Sequence, residues 1–210
     1  MARAPRTQSR EDQDLRRDQI LEESIRIVGE RGYYGFTVQE LAQRCGISNA
    51  GLLYHFGSKD QLLLEMLQEF ERREGAAIAE LAKHAEREDK RGGLSAPALL
   101  DLLRTMALRG TTQREIGRLH LVLQSETLDP GHPAHALYKK RQAKMLAFFA
   151  NLISPHVDTP RSTARLLVAI MDGLALQWVR EEAGFNFVTE WDRAILTLLP
   201  RLAPRKRAKS

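Results

Sequence analysis

Apolar residues recur at three- and four-residue spacing along almost the whole chain. That period belongs to amphipathic helices, and no run of alternating β-branched residues is present that could build a sheet. The chain is therefore read as all-α, with nine helices separated by short breaks at residues 29–35, 91–97, 129–133 and 154–160. The pattern predicts helix 1 over 12–28, helix 2 over 38–45, helix 3 from Asn49 to Phe56 and a long helix 4 from Ser58 to about Ala85. Five more follow at roughly 97–109, 113–127, 133–153, 160–182 and 188–202. Start signals agree with these limits. Thr37 and Glu40, and again Ser58 and Gln61, have the spacing of capping boxes. Ser48 can cap helix 3, and Thr159-Pro160 puts a cap residue before a first-turn proline. His132-Pro133 is a weaker version of the same signal.

Composition narrows the class. Of 210 residues, 43% are apolar and 28% charged, which excludes a disordered chain and a collagen-like fibre. A single cysteine, Cys45, excludes an internal disulfide and fits a reducing, cytoplasmic setting. No stretch approaches the ~20 apolar residues of a membrane span, and the basic N-terminus is not followed by the apolar core of a signal peptide. The net charge of +5 is concentrated at the ends: Arg3, Arg6 and Arg10 give +3, and Arg201, Arg205, Lys206, Arg207 and Lys209 give +5. The 190 residues between them sum to −3, so the basic pI belongs to two tails rather than to the body. Residues 1–10 are expected to be a disordered basic arm and 203–210 a basic tail. Such tails are compatible with nucleic acid and equally with solubilising ends.

Segment 37–56 carries the most chemistry. Two short helices are joined by a turn around Gly46, with Leu41 and Ala42 on the first facing Leu52 and Phe56 on the second. Helix 1 supplies a third wall. This is helix-turn-helix geometry, in which the second helix lies in the major groove. An ordinary three-helix packing unit would have the same spacing. In the DNA-binding reading, Asn49, Ala50 and Gly51 approach base edges: asparagine can pair bidentately with adenine, and alanine can touch a thymine methyl. Tyr54, His55 and Lys59 lie beside phosphates, and Thr37 at the start of helix 2 presents backbone N–H groups to another.

The run GYYGFTVQELAQRCGISNAGLLYHFGSKDQLLLEML, residues 32–67, resembles the N-terminal domain of TetR-family transcriptional regulators. The matching features are the aromatic-Thr-Val lead-in, Leu41-Ala42, Gly46-Ile47-Ser48, and His55-Phe56 followed by Ser58-Lys59 and Leu62. The resemblance spans residues 16–70. It implies a helix-turn-helix domain over 11–57 and an effector-binding, dimerising domain over 58–202. It further implies base contacts at Gln39, Asn49, Ala50 and Gly51, with Ser48 beside them. Phosphate contacts are implied at Thr37, Tyr54, His55 and Lys59. One departure stands out: many relatives have tyrosine, touching a phosphate, where this chain has Leu53. Arg3, Arg6 and Arg10 could reach a minor groove as an arm.

The C-terminal half is read in the same light. LLVAIMDGLALQWV, residues 166–179, is apolar nearly all round, and the last helix has one broad apolar stripe. Paired with a second copy they would form a four-helix seam using Leu167, Met171, Leu174, Trp178, Ile195, Leu198 and Leu199; burial within one subunit is the other reading. Polar residues on apolar faces mark an effector pocket: His120, Gln124, Tyr138 and Gln177, with Met106, Phe149 and Trp178 as walls. A mostly apolar ligand with one or two polar handles fits such a lining. Asp129, His132 and His135, with His120 and His156, could hold zinc, but they read first as a loop leading into a helix. Cys45 sits on an apolar stripe and reads as packing rather than as a redox sensor. No glycine-rich phosphate loop, G-x-S-x-G or HExxH appears, so neither an enzyme nor a cofactor is expected. The expected function is a dimeric repressor on a palindromic double-stranded operator, released by a small molecule, with no membrane role. The alternative is an effector-independent DNA-binding protein acting through protein contacts or by coating DNA.

Overall fold

The computed structural model describes residues 10–89, 94–112 and 114–199. The tail arginines and lysines, apart from the backbone of Arg10, lie outside the described residues, as does Leu202. Within them the chain forms nine helices and no strand: α1 (Arg10–Arg31), α2 (Val38–Arg44), α3 (Asn49–Phe56), α4 (Lys59–Glu88), α5 (Ala96–Thr112), α6 (Arg114–Glu126), α7 (His135–Ile153), α8 (Pro160–Arg180) and α9 (Phe187–Leu198). Among these residues no helix is long and apolar enough to cross a membrane.

Local chemistry sets the boundaries. Thr37, Ser48 and Ser58 each accept the backbone N–H three residues on, capping α2, α3 and α4 as their spacing predicts. One further start holds and one is corrected. The α8 helix opens at Pro160 as expected, although Thr159 makes no side-chain cap. Pro133 does not begin α7; the chain turns there, and Nδ1 of His132 accepts from Ala134 N at 3.1 Å before the helix opens at His135. The α1 helix runs on to Arg31 and ends in Gly32 at φ +73°, a left-handed conformation that a side chain adopts only under strain.

Two apolar cores result. The first joins α1, α2 and α3 to the first half of α4 and to Leu119 and Leu123 of α6, with Ala134 beside them. The second is made by α5, α7, α8 and α9 around Leu99, Leu103, Ile153, Leu167, Trp191 and Ile195. The three N-terminal helices thus share one core with α6. The boundary expected after residue 57 is a boundary in chain order, not in packing. With 30 residues, α4 is roughly 45 Å long. Its first half lies in the first core and its second half runs beside α5.

Candidate nucleic-acid interface

The turn between α2 and α3 is a Schellman closure. Gly46, at φ +65°, donates its N–H to Gln43 O at 3.1 Å, and Ile47 donates to Ala42 O at 3.0 Å. A Cβ at Gly46 would meet nothing within 4 Å, so the left-handed backbone alone demands glycine. This turn swings α3 so that Leu52 and Phe56 are 0% and 2% exposed against the core. The opposite side of α3 displays Asn49, Ala50, Leu53 and Tyr54. Thr37, Gln39 and Ser48 are exposed beside them, and Gly51 and His55 are half-buried. Gln43, which the sequence reading did not single out, is exposed one turn beyond Gln39 on α2. Its signal was the i, i+4 spacing from Gln39.

Lys59 stands differently from its expected phosphate role. Its Nζ donates to Phe36 O at 2.7 Å and lies over the rings of Phe36 and Tyr33 at 4.4 and 4.5 Å. Burial pushes its pKa down. The ammonium therefore joins the α1–α2 loop to the start of α4. Arginines around the reading head are also engaged. Arg44 contacts Glu23 and Glu30, and Arg31 contacts Glu40. Arg17 bonds Glu65 and the His55 carbonyl, and Arg16 reaches Cys45 O. Cys45 itself is buried, and its thiol pKa is raised by burial.

Polar contacts tie the reading head to α6: Arg118 Nη2 donates to Glu30 O at 3.5 Å, Arg26 lies 3.6 Å from Glu115, and Glu126 holds the loop after α1. Tyr33 N donates to Glu126 Oε2 at 2.8 Å, and a methyl on Gly32 would collide with that carboxylate. The Tyr33 hydroxyl bonds Asp60 at the start of α4. His132 packs edge-on against Tyr33 at 5.0 Å, its side chain fully enclosed and its Nε2 without a hydrogen bond. Burial lowers its pKa against the opposing pull of Glu126.

Of the expected pocket residues, the structure brings together His120 and Tyr138, 3.3 Å apart. Arg141, not singled out from the sequence, lies along the His120 ring with Nη2 2.9 Å from Nε2, and Phe70 covers the ring at 4.8 Å. Burial, then Arg141, holds the His120 pKa well down, so the ring is neutral. Burial pushes the Tyr138 hydroxyl up to about 12. Oε1 of Glu71, 3.9 Å from Arg141 Nε, is buried without a hydrogen bond. Gln124 donates to Asp172 Oδ2 at 2.8 Å, and burial raises the Asp172 pKa. His120, Tyr138, Arg141 and Glu71, from α4, α6 and α7, make a polar layer, whereas Gln124 is exposed. The remaining expected pocket residues are elsewhere. Met106, Phe149 and Trp178 belong to the second core, and Gln177 is exposed. A cavity of about 730 Å³ opens instead between α4 and α5, lined by Leu81, His84, Asp101, Leu102 and Thr105 among others.

The expected seam residues are also redistributed. Leu167, Ile195 and Leu199 are 0%, 2% and 3% exposed inside the second core, so they face their own chain rather than a partner. Met171, Leu174, Trp178 and Leu198 pack half-buried against the same core. The exposed apolar positions along α8 are Leu166, Ala169 and Leu176, with Ile170 and Gly173 half-buried beside them and Leu196 exposed on α9. A helix apolar all round thus divides into an inner face and an outer one. The loop histidines are spoken for: His135 Nδ1 meets Thr127 O at 2.8 Å and His156 Nε2 meets Leu94 O at 2.9 Å. Among the described residues no three metal-ligating side chains converge.

Comparison with known proteins bears on this geometry. The profile of "Bacterial regulatory proteins, tetR family" matches residues 20–66. The HTH-type transcriptional regulator BetI of Brucella canis is 33% identical over 75 residues, 36% of this chain and 38% of that protein. The chain thus matches well under half the length of its curated relatives. A TetR-family regulator from Agrobacterium tumefaciens has a similar fold, with a TM-score of 0.70 at 19% identity over 90% of this chain and 98% of that one. FadR of Bacillus subtilis, solved in complex with stearoyl-CoA, has a TM-score of 0.64 at 14% identity over 87% of this chain and 97% of that one. At these identities the structural likenesses speak to the fold.

Proposed function

The chain belongs to the TetR family of transcriptional regulators, and from that premise we propose that a dimer of it reads an inverted repeat in double-stranded DNA as a cytoplasmic repressor and is released by a small molecule. The observation that carries the DNA reading is the outward side of α3. Asn49, Ala50, Leu53 and Tyr54 stand exposed on a capped helix whose other side is fixed by Leu52 and Phe56. Thr37, Gln39 and Ser48 border it, placing donors and acceptors where phosphates and base edges meet such a helix. Two heads at half-sites ~34 Å apart require two copies, and the outward stripe from Leu166 to Leu176 supplies an apolar face for pairing. Gly173 has open space above it, which lets a second backbone approach.

Release is supported by the polar layer at His120, Tyr138, Arg141 and Glu71. Buried polar groups are costly unless satisfied, and here Glu71 Oε1 lacks a hydrogen bond. A ligand's polar handle at this level would meet α4 from behind. Through Tyr33, Asp60 and Glu126, α4 and α6 hold the reading head. A modest switch needs the effector to favour the released state by ~1–3 kcal/mol.

Selection of bound duplexes from a random pool tests the reading. An enriched inverted repeat is expected, and Asn49→Ala should relax preference at one base pair of each half. Binding without any enriched sequence, falling steeply with salt, would replace operator recognition with non-specific contact. With the enriched duplex in hand, a compound that releases the parent protein should lose its effect on Arg141→Met.

A further inference from the structure

We propose that Leu53, together with Ala50, selects thymine by touching its C5-methyl group. This rests on the DNA reading above and names what one part of that surface recognises. Four side chains project from the outward side of α3: a neutral amide (Asn49), a methyl (Ala50), an isobutyl group (Leu53) and a phenol (Tyr54). None carries a charge. Leu53 is 39% exposed and Tyr54 84%, so neither is spent on the core. Ala50 and Leu53 are three residues apart and therefore adjacent on the helix surface, forming one apolar patch. Asn49 lies one turn before Leu53 and borders that patch with its amide.

In the major groove the base edges present donors, acceptors and one apolar group, the thymine methyl. An apolar patch facing that groove loses hydration whatever it meets, but regains packing only against that methyl. Leu53 has no donor, so a phosphate gains nothing from it. Charge attraction around it is also reduced, because Lys59 is held by Phe36 O and Arg44 by Glu23 and Glu30. Shape and neutral contacts therefore decide the readout on α3. The inference places a thymine next to the base that Asn49 reads.

Deoxyuridine provides the test, because it deletes the C5-methyl and leaves every hydrogen-bonding atom in place. The duplex enriched by the parent protein is remade with uracil at one thymine at a time. Binding is measured by fluorescence anisotropy at fixed salt for the parent, Leu53→Ala and Ala50→Gly. One thymine per half-site should weaken parent binding about fourfold when demethylated, the size of one buried methyl. Leu53→Ala should bind the thymine duplex less tightly and lose most of the discrimination between the two duplexes. Unchanged melting of Leu53→Ala would verify that the head remains folded. If every uracil duplex binds the parent as the thymine duplex does, methyl recognition is overturned while operator recognition stands. If Leu53→Ala keeps the full thymine preference, another group reads the methyl and the proposal fails. If no duplex is enriched at all, the DNA reading itself falls, and this inference falls with it.

Discussion

Burial sets the protonation state of two histidines, His120 and His132. Each is enclosed and held neutral, with its pKa pushed below the ordinary histidine value mainly by loss of water. The unfolded chain takes up a proton at each near pH ~6.5, whereas the folded chain resists it until lower pH. Stability contributed by these residues is therefore complete above about pH 6.5 and is lost as pH falls, at up to ~1.4 kcal/mol per unit for each histidine. Urea unfolding between pH 7.5 and 5 should show this decline, and His132→Gln should make it shallower. An equally steep decline in that variant would show that His132 does not titrate with folding. Glu69, hydrogen-bonded by Arg72 and then Arg73, is held down at about 2, below this interval. Lys59 carries the other lesson at this scale. Its sequence position implies a phosphate contact, whereas its ammonium forms the joint between Phe36, Tyr33 and α4.

At the level of the helix, caps make the most readable link between sequence and structure. Ser48 accepts Gly51 N at 3.0 Å, and α3 is only eight residues long, so it depends on that cap more than a long helix would. Ser48→Ala should cost about 1 kcal/mol in unfolding. Because the frayed turn holds Asn49, Ala50 and Gly51, DNA affinity should drop by more than the loss of the hydroxyl alone explains; comparing unfolding with anisotropy checks this. Caps at Thr37, Ser48 and Ser58, the Gly46 turn and all nine helices were legible because each depends on neighbours in the chain. The reading failed where partners come from far away. The Glu126 bond to Tyr33 spans 93 residues and has no local signature. Arg141 was overlooked because a cation on a helix looks solvated until α6 is placed against it. Leu167, Ile195 and Leu199 were expected on a seam but are enclosed, because hydropathy alone cannot say which side of an apolar helix faces inward: Leu167 is enclosed, whereas its neighbour Leu166 is 51% exposed.

For the whole molecule, that distinction gives a decisive pair of variants. Leu166→Arg should leave the monomer folded and halve the mass measured by sedimentation, because it charges only the outward stripe. Leu167→Arg should unfold the chain, since it places a charge within the second core. A dimer that survives Leu166→Arg would move the pairing surface elsewhere. The core shared by α1–α3, α4 and α6 has a different consequence, one for inheritance and engineering. Exchange of reading heads between relatives is simplest when a head is a detachable module. Here a transplant cut after residue 57 would leave Leu119 and Leu123 facing a foreign α1, and Glu126 facing a foreign loop. A new sequence preference can arise freely on the outward side of α3. A new head can be acquired whole only if the matching side of α6 travels with it, so recombination is constrained where point substitution is not.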